Sequence, residues 1–197
     1  LDIMVDHNGN VLIVGSARIT SVNYGLIVKY NSIGDTLWTR HFNNSMNEAL
    51  FKKVIFDNFN NFYIAGYIGS PGKCLIMKYD SAGNLSWFNT FTNDSLNSHI
   101  GQGLSLDSDN NVYVISTESV PFSLLNNYLL KYTSNGILLW NKVFRGILSN
   151  NGRNSGIPKG PVISSDGYSV YFSTMTANGL GGGSYSIATV KYNSLGD

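Results

Sequence analysis

The chain has 197 residues, enough for one domain of ordinary size, and its 43% apolar and 13% aromatic content excludes a disordered chain. Thirteen Lys and Arg against twelve Asp and Glu leave a net charge of +1, with no basic run long enough to track a phosphate backbone, so nucleic acid is not an expected partner. The single cysteine excludes a disulfide framework or C-x-x-C metal spacing, and no apolar stretch approaches the ~18 residues of a membrane span.

Taken in chain order, the expected elements are short strands bounded by Asn, Asp, Gly and Ser. They fall into sets of four, A to D. The first set is Ile3-Met4-Val5, Val11 to Val14, Leu26-Ile27-Val28 and Leu37 to Phe42. The second is Val54-Ile55-Phe56, Phe62 to Ala65, Leu75-Ile76-Met77 and Leu85 to Phe91; the third is Leu104-Ser105-Leu106, Val112 to Ile115, Tyr128-Leu129-Leu130 and Leu139 to Phe144. The fourth supplies Val162-Ile163, Val170 to Phe172 and Ala188-Thr189-Val190, and stops before its D strand. These sets place units at about 1–44, 50–93, 102–146 and 160–197.

One phrase recurs at the end of every C strand. Lys29, Lys78, Lys131 and Lys191 are each followed by Tyr and a turn of the form Asn/Asp/Thr-Ser-x-Gly, at steps of 49, 53 and 60 residues. In the first three units Trp38, Trp87 and Trp140 stand nine residues after the Lys, and a Phe stands four beyond each Trp, on the same face of strand D. A recurring period of this size marks a repeat architecture.

Strand C is apolar on both faces, which requires sheet on either side. The expectation is therefore an all-β fold, a β-propeller of four-stranded antiparallel blades with three complete blades and a fourth lacking its outer strand. A β-sandwich is the runner-up, and helix is expected to be negligible. The chain begins inside a strand and ends at a turn, as expected for a piece of a larger propeller whose open blade faces are covered by further repeats or another copy. The run Asp6 to Val11, the apolar strands closing on Gly15 or Gly66, the Lys-Tyr-Asn-Ser-x-Gly phrase and the following Leu-Trp together resemble the bacterial and archaeal SBBP-type β-propeller repeat. That resemblance implies a module of large secreted or surface proteins. The fourth unit departs from the pattern: Ser165-Asp166-Gly167 replaces Asp-x-x-Gly, implying a tighter turn.

In the first three units Asp6, Asp57 and Asp107 close strand A where Lys29, Lys78 and Lys131 stand in strand C. They invite reading as a charged ring, but structural pairing and turn capping explain them more simply. Asp107 with Glu118 in the twelfth position imitates a calcium loop, yet Val112 stands where Gly is needed. Gly69 to Cys74 lacks the first glycine and the hydroxyl of a phosphate loop, and Gly179 to Gly183 lacks the helix of a dinucleotide fingerprint. Cys74 reads as a buried small hydrophobe. His7, His41 and His99 lie in different parts of the repeat, and Glu48 and Glu118, the only two glutamates, read as loop residues. No catalytic set, metal site or cofactor is expected.

Variable lengths point to where function sits. The A to B and C to D turns are short and near-constant, whereas the B to C segments (16–24, 67–73, 117–127, 173–184) and D to A segments (43–50, 92–103, 145–160) vary. In an up-and-down blade both variable sets emerge on one face, the expected binding side. Arg18, Tyr24, Phe122, Asn126, Asn127, Arg145 and Arg153 are its candidate contact residues. Sequons at Asn43, Asn84 and Asn93 are acceptors if the protein is exported where N-glycosylation exists. The expected role is a non-catalytic scaffold and recognition module of a secreted or cell-surface protein. It would bind a protein or glycan partner, or further copies or blades. The alternatives are a lectin-like propeller and the accessory or catalytic domain of a larger propeller enzyme.

Overall fold

The computed structural model describes residues 1–19, 21–42, 48–93, 96–120, 124–145, 153–154, 157–177 and 185–197. The first sheet contains β1 (Asp2–Val5), β2 (Val11–Ile19), β3 (Val22–Tyr30) and β4 (Thr36–Phe42), and the second contains β5 (Ala49–Phe56), β6 (Phe62–Ile68), β7 (Lys73–Tyr79) and β8 (Leu85–Phe91). The third contains β9 (Ser98–Leu106), β10 (Val112–Val120), β11 (Leu124–Tyr132) and β12 (Leu138–Phe144). A short β13 (Arg153–Asn154) bridges β11 to the fourth unit, β14 (Lys159–Ile163), β15 (Ser169–Ala177) and β16 (Tyr185–Asn193). Each strand pairs antiparallel with the next in its unit. The third and fourth units follow the same rule. Among the described residues no helix is long and apolar enough to cross a membrane.

The hairpins turn where side chains cap the backbone. Asp6 Oδ1 accepts the backbone N–H groups of Asn8 and Asn10, both at 2.9 Å, and Oδ2 accepts the Asn10 amide at 3.0 Å. Asp57 and Asp107 repeat this pattern, and Asn31, Asp80 and Asn193 cap the C to D turns in the same way. This is the turn-capping role expected of the aspartates.

The fourth A to B turn corrects the expectation. Ser164, not Ser165, takes the place of Asp, and its N–H donates to Ser169 O, five residues on, where Asp6 N–H donates to Asn10 O, four on. Asp166 Oδ1 takes over part of the capping from Tyr168 N–H at 2.9 Å. The turn is therefore one residue longer than the others, not tighter.

Three apolar layers lie between consecutive sheets. Leu12, Val14 and Ile27 of the first meet Phe51, Val54, Phe62, Ile64 and Met77 of the second. Tyr63, Ala65, Cys74 and Ile76 on the second sheet's other face meet Leu104, Val112, Val114 and Leu130 of the third. Tyr113, Ile115 and Leu129 meet Val170 and Phe172 of the fourth. The sheets thus stack in series, and the middle two are covered on both faces, as the doubly apolar C strands required.

Strand D seals each layer. Trp38 stacks near Phe62 and Phe42 packs beside Phe51, with 6.2 Å between centroids in each pair. Phe91 meets Tyr128 at 5.5 Å and Phe144 meets Phe172 at 6.0 Å. At the turn end, Trp87 Nε1 and Lys78 Nζ donate to Ser134 O in the C to D turn of the next sheet, at 3.1 and 3.3 Å. Trp140 Nε1 and Lys131 Nζ do the same to Ser194 O, both at 3.2 Å. The glycines of those turns lie flat on the indoles. A Cβ on Gly83 or Gly136 would stand 2.8 Å or 2.9 Å from the ring of Trp38 or Trp87, and both glycines have positive φ. At the second and third junctions the recurring Lys, Trp and Gly are thus parts of one clasp between neighbouring units, and at the first the Gly and Trp meet in the same way.

At the opposite edge the A strands of all four units line one open cleft of about 510 Å³, bounded by Asp2, Lys53, Gln102, Gly103, Lys159 and Gly160 among others. Lys53 pairs with Asp2 across the first two units at 3.3 Å.

Candidate recognition site

Strands β2, β3, β10, β11 and β15 run several residues further toward the variable loops than their apolar cores suggest. Polar side chains that read as loop composition are held in sheet there, with Asn23, Thr117, Glu118, Asn126, Asn127 and Thr174 finding cross-strand or cross-unit partners. At the junction of the second and third sheets this produces a closed polar network around Glu118. Contrary to the loop reading, Glu118 lies in β10, is 1% exposed, and pairs in register with His99 of β9 and Asn126 of β11.

The Glu118 carboxylate accepts three hydrogen bonds: Asn97 Nδ2 to Oε1 at 3.0 Å, Asn126 Nδ2 to Oε2 at 2.7 Å and Tyr128 OH to Oε2 at 3.1 Å. His99 Nε2 stands 3.8 Å from Oε1 and 2.7 Å from Asn93 Oδ1. Asn93 Nδ2 donates to the Tyr128 hydroxyl at 2.6 Å. Burial, then the charge and hydrogen bond of Glu118, push the Tyr128 phenol up, with Arg145 pulling the other way, so Tyr128 serves as a protonated donor. Phe91 of the second sheet packs on both His99 and Tyr128. The second sheet's turn closes the back, with Gly72 O accepting from His99 N–H at 2.7 Å and Gly72 N–H donating to Ser98 Oγ at 3.0 Å.

The neighbouring junctions carry different polar sets. Between the third and fourth sheets Thr117 Oγ1 donates to Asn127 Oδ1 at 3.2 Å, and Asn127 Nδ2 donates to Thr174 Oγ1 at 3.0 Å. Between the first and second, Asn23 Nδ2 donates to Glu48 Oε1 at 3.0 Å.

The candidate contact residues separate on this geometry. Asn127 is wholly buried and serves the third junction, so it is not a contact residue. Arg18 and Tyr24 lie in β2 and β3, exposed and half-buried respectively, rather than in a loop. Asn126 is half-buried in β11, and Arg145 is exposed just past β12. Phe122 and the side chain of Arg153 lie outside the described residues. Of the sequons, Asn43 also lies outside them; Asn84 caps a C to D turn through Asp80, and the amide of Asn93 is engaged by Tyr128.

Asp6 and Asp107 pair with Lys29 at 2.9 Å and Lys131 at 3.4 Å, at the opposite end of the sheets. Burial alone would raise the Asp6 carboxyl, but Lys29 and the donors of Asn10 and Asn8 hold it below its ordinary value. The three histidines are not brought together: His7 meets Asn60 of the next unit's turn, and His41 is exposed on β4. Among the described residues no group of three or more His, Cys, Asp or Glu side chains converges to hold a metal ion. No protein-family model and no curated protein matches the chain.

Proposed function

We propose that the stacked sheets are blades of a β-propeller belonging to a larger ring. The chain then acts as a non-catalytic scaffold and recognition module of a secreted or surface-displayed protein, in line with its SBBP-type resemblance. The radial reading is supported by the A strands of four successive units lining one cleft while the D strands of the first three form the opposite sheet edges. In a two-layer sandwich a sheet has one wet face, whereas the two middle sheets here have none.

Recognition is assigned to the face on which the B to C and D to A segments emerge. One observation carries this: beneath that face, a buried carboxylate accepts hydrogen bonds from three side chains, Asn93 donates to the Tyr128 hydroxyl among them, and Arg145 reaches the same cluster. Such a base holds the overlying polar groups in place before a partner arrives, which lowers the ordering cost of binding. The partner is a protein or a glycan.

The test is a binding screen of the 197-residue chain on a glycan array and a panel of extracellular proteins. Ligands found should be lost on combined Arg18→Ala, Tyr24→Ala and Arg145→Ala changes, and kept on Asn58→Ala and Ser108→Ala changes at the turn end. Ligands that survive the first set and fail with the second would overturn the assignment of the face.

A further inference from the structure

Two sheet faces of this molecule are shaped like the sides of a junction yet lie open. On the first sheet, Ile3 is 62% exposed, where the equivalent Val54 and Leu104 are 2% and 8% exposed inside their layers. Val5, Ile33 and the half-buried Ile13 and Val28 extend the same open surface. On the fourth sheet, Ile187 is 80% exposed, where the equivalent Cys74 and Asn127 are fully covered. Met175 stands exposed beside it, paired in register across β15 and β16.

The polar parts of the clasp are also present, one on each face. A Cβ on Gly34 would meet nothing within 4 Å, whereas those on Gly83, Gly136 and Gly196 would all press on a tryptophan of the preceding sheet. Lys191 Nζ lies 5.7 Å from the Tyr171 ring, as Lys131 lies 4.8 Å from Tyr113 and Lys78 lies 5.1 Å from Tyr63. Lys78 and Lys131 go on to a seryl carbonyl in the next unit's turn. Among the described residues no fifth turn stands where Lys191 would make the same contact.

We propose that these two faces dock on each other between copies of this chain, head to tail. The fourth sheet of one copy covers the first sheet of the next, with Lys191 donating to Ser32 O. The occupant is a second copy because the contact continues a junction already built in the molecule: an apolar layer formed three times, flanked at the second and third junctions by a Lys-to-seryl clasp. One chain carries both complementary halves. A heterologous contact of this kind closes into a ring or runs on as a filament, depending on its rotation. Under the radial reading, on which closure rests, two copies make a ring of about eight sheets, within the range such folds adopt. A contact between separate chains makes the association concentration-dependent.

Sedimentation velocity and light scattering on the 197-residue chain test it. The unmodified chain should reach the mass of two or more copies in the micromolar range. Ile3→Asp and Ile187→Asp, each at an exposed site and each checked for an unchanged melting temperature, should be monomers alone. Mixed in equal amounts they should regain a dimer, because the unmodified fourth sheet of the first variant fits the unmodified first sheet of the second. Lys191→Met, which only removes the donor, should weaken association several-fold. A monomer at all concentrations, association indifferent to both Asp changes, or variants that stay monomeric when mixed would overturn the proposal. Ligand binding at the loop face is read in the separate screen above and can succeed or fail independently.

Discussion

The turn ends and the loop ends of the inter-sheet junctions are built on opposite principles. At the turn end the second and third junctions use the same parts: a lysine and an indole reach one seryl carbonyl, and a glycine lies on the indole. At the loop end all three differ among the described residues: an amide-to-carboxylate bond in the first, a network around Glu118 in the second, a hydroxyl and amide chain in the third. One end repeats what stacking demands, and the other is free to be individual.

The largest effect that sharpens this contrast is expected from Trp87→Ala, which empties the clasp and exposes the layer beneath, at about 3–4 kcal/mol in chemical denaturation. Trp38→Ala should cost a similar amount if the clasp is common to the junctions. Glu118→Ala should cost about 3 kcal/mol, because it leaves three donors around a buried site without their acceptor. Glu118→Gln, which keeps an acceptor oxygen, should recover part of that loss. Asn23→Ala at the first junction's loop end should cost under about 1 kcal/mol. Equal losses at Asn23 and Glu118 would break the distinction between loop ends.

Gly136→Ala is expected to cost about 2 kcal/mol, combining a positive φ with a methyl group forced toward the Trp87 ring. The smallest effect is electrostatic. The Asp6 carboxyl is depressed in the folded state, so the stability it contributes is present above its unfolded value near about 3.9 and is lost as pH falls through the lower folded value. Asp6→Asn should therefore flatten the acid limb of a stability-against-pH curve while leaving its slope above about pH 5 unchanged.

The turn end was legible in the sequence because its physics is local. A capping Asp or Asn, a glycine or asparagine able to adopt positive φ, and an indole nine residues past a lysine are all short-range signals. The loop end was not. Glu118, Thr117 and Asn127 have the composition of a loop, and what keeps them in strands is hydrogen bonding to residues of other strands and other units, such as Thr174 and Asn97. Period-2 patterning stops where apolar residues stop, so β2 was expected to end near Val14 although pairing runs on to Ile19. The fourth A to B turn is illegible for the related reason that Ser164 and Asp166 divide between them the work done elsewhere by one aspartate.

Cys74, the chain's lone thiol, sits fully enclosed in the layer between the second and third sheets, and burial pushes it up to about 12. At neutral pH it is therefore both shielded and protonated, and a thiol-directed reagent reaches it only when those two sheets part. The rate at which the native chain is alkylated is a clock for that separation, built into the wild-type molecule and needing no added label.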